Sequence, residues 1–351
     1  MRLSYSVICF MILMGLMTSS CKKDMKNNYY FSNEIEIIKS TPERLPGFLL
    51  IDSLIGVSNV ESVDSFIVLV SPHREKLFQV FDFVGNNKGN FGVKGQGPND
   101  LLNCTPNGQK QVMNNCAFLW INDVSATKLK KINLSKSIKE QHLIIEDMID
   151  TYPMSVNSFI IDDSLAICES MTQNNYSLIK YNYKNHNKLV ENNIYLSPQK
   201  NPFNFYKSIW RINYESNILV GAMHSINQLN FWNLNTNEKK SVIIETPYLP
   251  NQIVDEKTGL ENRTSFCDLE ISRDFIFALY MDQEYGLSYE TPKKMTLFIF
   301  NWDALLVARL IVEEYILNIA VDSKQEKLYG LCEDDKVFVY DLNGVINKSD
   351  G

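Results

Sequence analysis

The residue types able to do covalent or metal chemistry are scattered through this chain. The histidines His73, His142, His186 and His224 share no metal-ligand spacing, and no HExxH element sets two of them one helical turn apart beside an acid. Beyond residue 21 the cysteines Cys104, Cys116, Cys168, Cys267 and Cys332 form no CxxC pair, so neither a zinc site nor a disulfide framework follows, and most read as buried small hydrophobes. Gly95 and Gly97 lack the third glycine and the helix of a dinucleotide loop, and Lys94 is not followed by the Ser or Thr of a phosphate loop. Asp341-Leu342-Asn343-Gly344 starts like a calcium loop but lacks the later acidic ligands, and reads as a hairpin turn. No metal and no cofactor are expected. Acid–base chemistry would fall to acids such as Asp282, Glu333, Asp334 or Asp335.

Elements able to position such groups show themselves as a repeat. Six times an apolar run ends in a large residue, then Asp or Asn, then another large residue: Phe81-Asp82-Phe83, Ile132-Asn133-Leu134, Tyr181-Asn182-Tyr183, Trp232-Asn233-Leu234, Phe300-Asn301-Trp302 and Tyr340-Asp341-Leu342. The mean spacing, about 52 residues, is that of one four-stranded propeller blade. A further strand-like run precedes each instance: Phe66 to Val70, Ala117 to Ile121, Leu165 to Cys168, Ile218 to Val220, Phe275 to Tyr280 and Lys327 to Leu331. The 37 asparagines suit many tight turns, and the repeated Asp or Asn is expected to cap the turn from third to fourth strand. Ala304 to Tyr315 has helical propensity, yet its place after Phe300-Asn301-Trp302 demands a fourth strand.

After the last repeat nine residues remain, together too polar to make a good outer strand, so the sixth blade is one strand short. Asn33 to Ser40, with Ile35, Ile37 and Ile38, is expected to supply it, pairing with the strand that holds Val337 and Val339. The fold class is therefore all-β: a six-bladed β-propeller over 33–346, its ring closed by an N-terminal strand completing the last blade, followed by a tail over 347–351.

Of 351 residues 21% are charged and 11% aromatic, which excludes a disordered chain, and the net charge of −7 argues against nucleic-acid binding. Residues 1–20 read as a signal peptide. Arg2 precedes the apolar run Val7 to Met17, which is about half of the ~20 residues that cross a bilayer as a helix. Thr18-Ser19-Ser20-Cys21 resembles the bacterial lipoprotein signal, with Thr18 where that pattern usually has Leu; the resemblance implies acylation of Cys21. Residues 21–32 then form a polar tether. Lys22 directly after the cysteine resembles lipoproteins sent to the outer membrane, facing either the periplasm or the exterior.

The loop Gly92 to Leu102, with Gly95-Gln96-Gly97-Pro98-Asn99-Asp100, resembles the G-x-G-P-G-E element of six-bladed, TolB-like propeller lipoproteins of Gram-negative bacteria, Asn99 and Asp100 replacing the usual Gly and Glu. Phe300-Asn301-Trp302-Asp303, Ile319-Ala320-Val321-Asp322 and Lys327-Leu328-Tyr329-Gly330 are similar to that family's passage from one blade into the next, and NHL-type propellers are more distant. The resemblance implies the fold and leaves the activity open. Gly95, Gly97, Pro98 and Asp100 then form a structural loop.

In such a ring three long connections, Pro198 to Lys207, Pro247 to Phe266 and Asp282 to Lys294, should meet on one face, where His73 and His224 should also lie. Tyr206, Trp210, Arg211, His224, Arg263, Tyr285 and His73 are the candidate binding face, because aromatics beside Arg make binding hot spots. The expected function is a lipid-anchored, monomeric binding or scaffold module for a protein, peptide or glycan. The alternative is an extracytoplasmic lactonase-like hydrolase or lyase with its site at the channel mouth.

Overall fold

The structure is a computed structural model that describes residues 35–52, 54–172, 175–194, 206–244, 263–284, 295–322, 324 and 326–346. Three short strands open it: β1 (Ile35–Ile38), β2 (Glu43–Leu45) and β3 (Gly47–Ile51). Blade one follows as β4 (Asn59–Val63), β5 (Phe66–Val70), β6 (Phe78–Asp82) and β7 (Asn87–Phe91). Blade two is β8 (Thr105–Met113), β9 (Cys116–Asp123), β10 (Lys128–Asn133) and β11 (Ile145–Asp150); blade three is β12 (Ser155–Ile160), β13 (Leu165–Thr172), β14 (Asn175–Asn182) and β15 (Asn187–Asn193). Blade four comprises β16 (Ser208–Asn213), β17 (Ile218–Met223), β18 (Gln228–Asn233) and β19 (Lys239–Ile244). Blade five comprises β20 (Arg263–Ile271), β21 (Phe275–Glu284), β22 (Met295–Asn301) and β23 (Leu306–Val312), and blade six β24 (Ile316–Val321), β25 (Lys327–Cys332) and β26 (Val337–Asp341).

Each blade is an antiparallel meander, and the six make a propeller. Every blade is sandwiched between two neighbours, so its middle strands lose both faces to packing. They therefore read as unbroken apolar runs rather than alternations, as in Phe66–Val70, where Ile67, Val68, Leu69 and Val70 are all fully buried. The core lies between blades: Val220, Ala222 and Leu229 of blade four pack on Phe266, Leu269 and Ile276 of blade five. The segment with helical propensity is β23, paired along β22 from Met295↔Val312 to Phe300↔Leu306.

The repeated Asp or Asn ends the third strand of all six blades and caps the turn that follows. Asp82 accepts from Val84 N and Asn86 N, Asn182 from Lys184 N, Asn233 from Asn235 N and Thr236 N, Asn301 from Asp303 N and Leu305 N, and Asp341 from Asn343 N. Asn133 instead caps a helix, α1 (Leu134–Glu140), accepting from Lys136 N at 2.9 Å. Asn343 starts a single helical turn, α2 (Asn343–Ile346), where a hairpin was expected, because another segment, Gly47–Ile51, takes the fourth place in blade six and Val345 and Ile346 pack on the core instead.

Ring closure by an N-terminal strand holds, but with a different strand. β3 completes blade six, its Ile51 opposite Val337, Phe48 opposite Val339 and Gly47 opposite Tyr340. The expected closing segment, Asn33 to Ser40, contributes β1, which lies parallel to β19 as a fifth strand on blade four; β2 does the same beside β23 on blade five. An outer strand has one covered face at most, so its pattern is weak: Phe48 and Leu49 in β3 are 65% and 50% exposed. The isoleucines of β1 carry a better strand pattern at a less central post.

Candidate functional site

The innermost strands β4, β8, β12, β16, β20 and β24 line the axis, and antiparallel pairing makes all six begin at one end. That end, the mouth, also holds the second-to-third-strand and blade-to-blade connections. Midway down, four of these strands bring buried charges together. Lys110 contacts Glu270 and lies 3.9 Å from Glu61; Arg211 lies 3.6 Å from Asp268 and 3.8 Å from Glu270. Burial pushes the Glu61 carboxyl up to about 7 against the pull of Lys110, and pushes Asp268 up to about 6 against Arg211. The guanidinium reaches the axis because Gly108, at φ +78°, has no side chain: a Cβ there would fall 2.8 Å from Arg211 Cζ.

This ionic plug separates two cavities. Beyond it, a cavity of about 290 Å³ is lined by Lys110, Tyr214, Ile271 and Asp322 among others. At the mouth, one of about 340 Å³ is lined by Asn59, Asn157, Asn318, Glu169, Lys207, Arg211 and Asp268 with Pro106, Val156 and Ile209. Asn318 Oδ1 accepts from Val60 N and Asp268 Oδ2 from Ile319 N, both at 2.8 Å, so these side chains also tie neighbouring blades together. Glu169 accepts from the Tyr176 hydroxyl, and burial pushes its carboxyl up to about 8 against the pull of Lys207.

The sequence-predicted face is divided by the fold. Arg211 joins the plug and lines the mouth cavity. Tyr206 and Trp210 are fully buried among Phe159, Ile167 and Leu219, the indole lying where a side chain on Gly221 would be, and Trp210 also borders the mouth cavity. His224 is half-buried near the mouth, its Nδ1–H donating to Phe266 O at 3.0 Å, and burial with Lys207 holds its imidazole below the usual range. His73 is exposed in the β5–β6 connection, at the same end. Arg263 opens β20, but its side chain lies outside the described residues, as do Tyr285, Cys21 and most of the three long connections. The Gly95 loop is held from within and from blade two: Gly97 N donates to Asp100 Oδ2 at 2.9 Å, and Lys130 Nζ to Asp100 O at 2.9 Å.

Of the candidate acids of blade six, Glu333 is exposed and the other two are engaged structurally. Asp335 accepts from Gly56 N and Val57 N at 2.7 and 3.0 Å, and Asp334 pairs with Lys336. The side chain of Asp282 lies outside the described residues. Sequence reasoning missed Glu61, Lys110, Asp268 and Glu270. Their signal was a charge inside an apolar first strand, as in Val60-Glu61-Ser62-Val63 and Leu269-Glu270-Ile271, at the position Arg211 takes in its own blade.

Residues 58–324 match the family described as TolB-like 6-blade propeller-like, and the chain belongs to that family. No curated protein matches it in sequence. Among solved structures it is similar to a member of the DUF4221 family from Bacteroides vulgatus, at TM-score 0.58 and 12% identity over 86% of this chain and 96% of that one. It is also similar to a putative exported protein from Bacteroides fragilis, at TM-score 0.51 and 11% identity over 88% and 98%. At such identities the likeness is one of fold.

Proposed function

We propose that this chain is a lipid-anchored propeller of the cell envelope, held in the outer membrane through Cys21, that binds a protein, peptide or glycan partner at the mouth of its axis. The observation that carries the reading is the mouth cavity, which opens at one end and meets the ionic plug at the other. Its volume of about 340 Å³ lies within the range of ligand sites, roughly 300–1,000 Å³. Binding is favoured over a hydrolase or lyase because Asp268 and Asp335 accept backbone N–H groups with both oxygens, which leaves them poorly placed to carry a substrate proton. Thr18-Ser19-Ser20-Cys21 supports the anchor, and a protein of similar fold is described as exported.

Two measurements test this. Wild-type chain should enter the detergent phase of a phase-partition extraction and Cys21→Ala should leave it. A photo-crosslinking residue at His73, on the mouth side, should capture a discrete partner in intact cells, whereas one at Glu215, on the opposite side, should not. Aqueous partitioning of the wild type overturns the anchor, and crosslinks from Glu215 alone overturn the assignment of the binding face.

A further inference from the structure

We infer that the mouth cavity is a carboxylate receptor, suited to an acidic sugar or to the C-terminus of a peptide; the inference rests on the mouth being the binding end. It follows from which polar atoms there already have partners. Asn318 Oδ1 accepts from Val60 N, and Asn157 Oδ1 from Ser158 N and the Asn122 amide. Backbone N–H groups can only donate, so they fix the carboxamides of Asn318 and Asn157 with the oxygen toward protein. Their two NH₂ groups are left over, with no acceptor among the described residues, and both asparagines line the cavity beside Asn59. They sit on first strands of blades six and three, so the ring itself sets them across the axis from each other.

Arg211 adds to this set from below. Among the described residues it makes one hydrogen bond, to Trp210 O at 3.1 Å, its nearest carboxylates lie at 3.6 and 3.8 Å, and its Nε has no acceptor within hydrogen-bond reach. Lys207 stands exposed on the rim. The carboxylates of the cavity are by contrast engaged, Asp268 by Leu269 N and Ile319 N and Glu169 Oε1 by the Tyr176 hydroxyl, and the Thr105 and Ser208 hydroxyls donate to protein oxygens. A guest must therefore accept hydrogen bonds, which are strongest when it is charged and the site is half-buried.

Charge sets the valence. Arg211, Lys207, Asp268 and Glu169 are the acidic and basic residues of the lining, and burial keeps the Glu169 carboxyl largely neutral near pH 7, so the lining is net positive within a protein of charge −7. A monoanion matches that lining. A phosphate dianion would exceed that single net positive charge and would face Asp268 and, just below it, Glu270.

The test is titration calorimetry of the full chain in detergent micelles with galacturonate, N-acetylalanine and, as neutral control, galactose. Wild type should bind at least one of the acids and not galactose. Galacturonate alone points to an acidic sugar, N-acetylalanine alone to a chain terminus, and both to the shared group. Asn318→Asp and Asn157→Asp keep the oxygen that the backbone needs and replace the donor with a negative charge, so each should weaken binding by about tenfold or more. Lys207→Met, remote from the fold's interior, should weaken it also if the asparagine variants fail to fold. Equal binding of galactose, unchanged affinity in all variants that fold, or no binding of either acid overturns the receptor. A partner still captured from His73 in that last case would leave the binding face standing and remove only its chemistry.

Discussion

Gly108 and Arg211 compete for one volume. The guanidinium crosses the axis through the space that a side chain on Gly108 would fill, and φ at Gly108 is +78°, where L-residues are strained in any case. The ionic plug therefore depends on an atom that is absent. Gly108→Ala should cost about 2–4 kcal/mol, from the strained backbone and the displaced arginine, measured as a loss in urea-denaturation stability. A variant as stable as wild type would show that Arg211 has another low-energy position.

Lys110 holds two buried acids apart electrically. Lys110→Met leaves Glu61 and Glu270 facing each other, and breaking a buried pair typically costs about 3–5 kcal/mol. The loss should be smaller at pH 5 than at pH 8, because Glu61, already raised to about 7 by burial, then takes a proton. Equal losses at both pH values would place Glu61 outside the plug's charge balance.

Glu169 gives a pH dependence of known sign. Its carboxyl is raised from 4.5 to about 8 in the folded chain, so between those values the folded state holds a proton that the unfolded state has released. The stability this group contributes is complete below about pH 4.5 and is lost as pH rises through about 8. Glu169→Gln keeps an acceptor for the Tyr176 hydroxyl and removes the titration. Its Tm should match wild type near pH 5 and exceed it by several degrees near pH 9; parallel Tm curves would refute the assignment.

The N-terminal strands can be separated by truncation. A chain starting at Pro46 keeps β3 and loses buried Ile38 and Leu45, each worth about 1.5–3 kcal/mol, so it should remain folded with a lower Tm. A chain starting at Leu54 loses β3, exposes the edge of β26 and should aggregate. Light scattering and thermal melts distinguish the two; aggregation of the longer chain alone would reverse the assignment.

The sequence disclosed the elements that repeat and hid those that do not. Six third strands with their Asp or Asn caps stood out because each blade solves the same turn in the same way. β3 was hidden because an outermost strand is half-solvated and its Gly47-Phe48-Leu49-Leu50-Ile51 has no alternation to show. The axial charges were hidden for a different reason: Glu61, Lys110, Arg211 and Glu270 come from four blades, and only ring closure makes them neighbours. Tyr206 and Trp210 misled because an aromatic beside a long connection has the same composition whether it faces a partner or the space between blades.

The closing pair joins the first part of the propeller to be synthesised with the last. Gly47–Ile51 finds its partner only when Val337–Asp341 has been made, some 290 positions later. Contacts of such separation form late and slowly. Until then blade six lacks its outer strand, and a chain released early would carry an unpaired edge and a ring free to open. Closure thus acts as a check on completeness: the protein reaches its final stability only after its C-terminus has followed its N-terminus to the place where it folds.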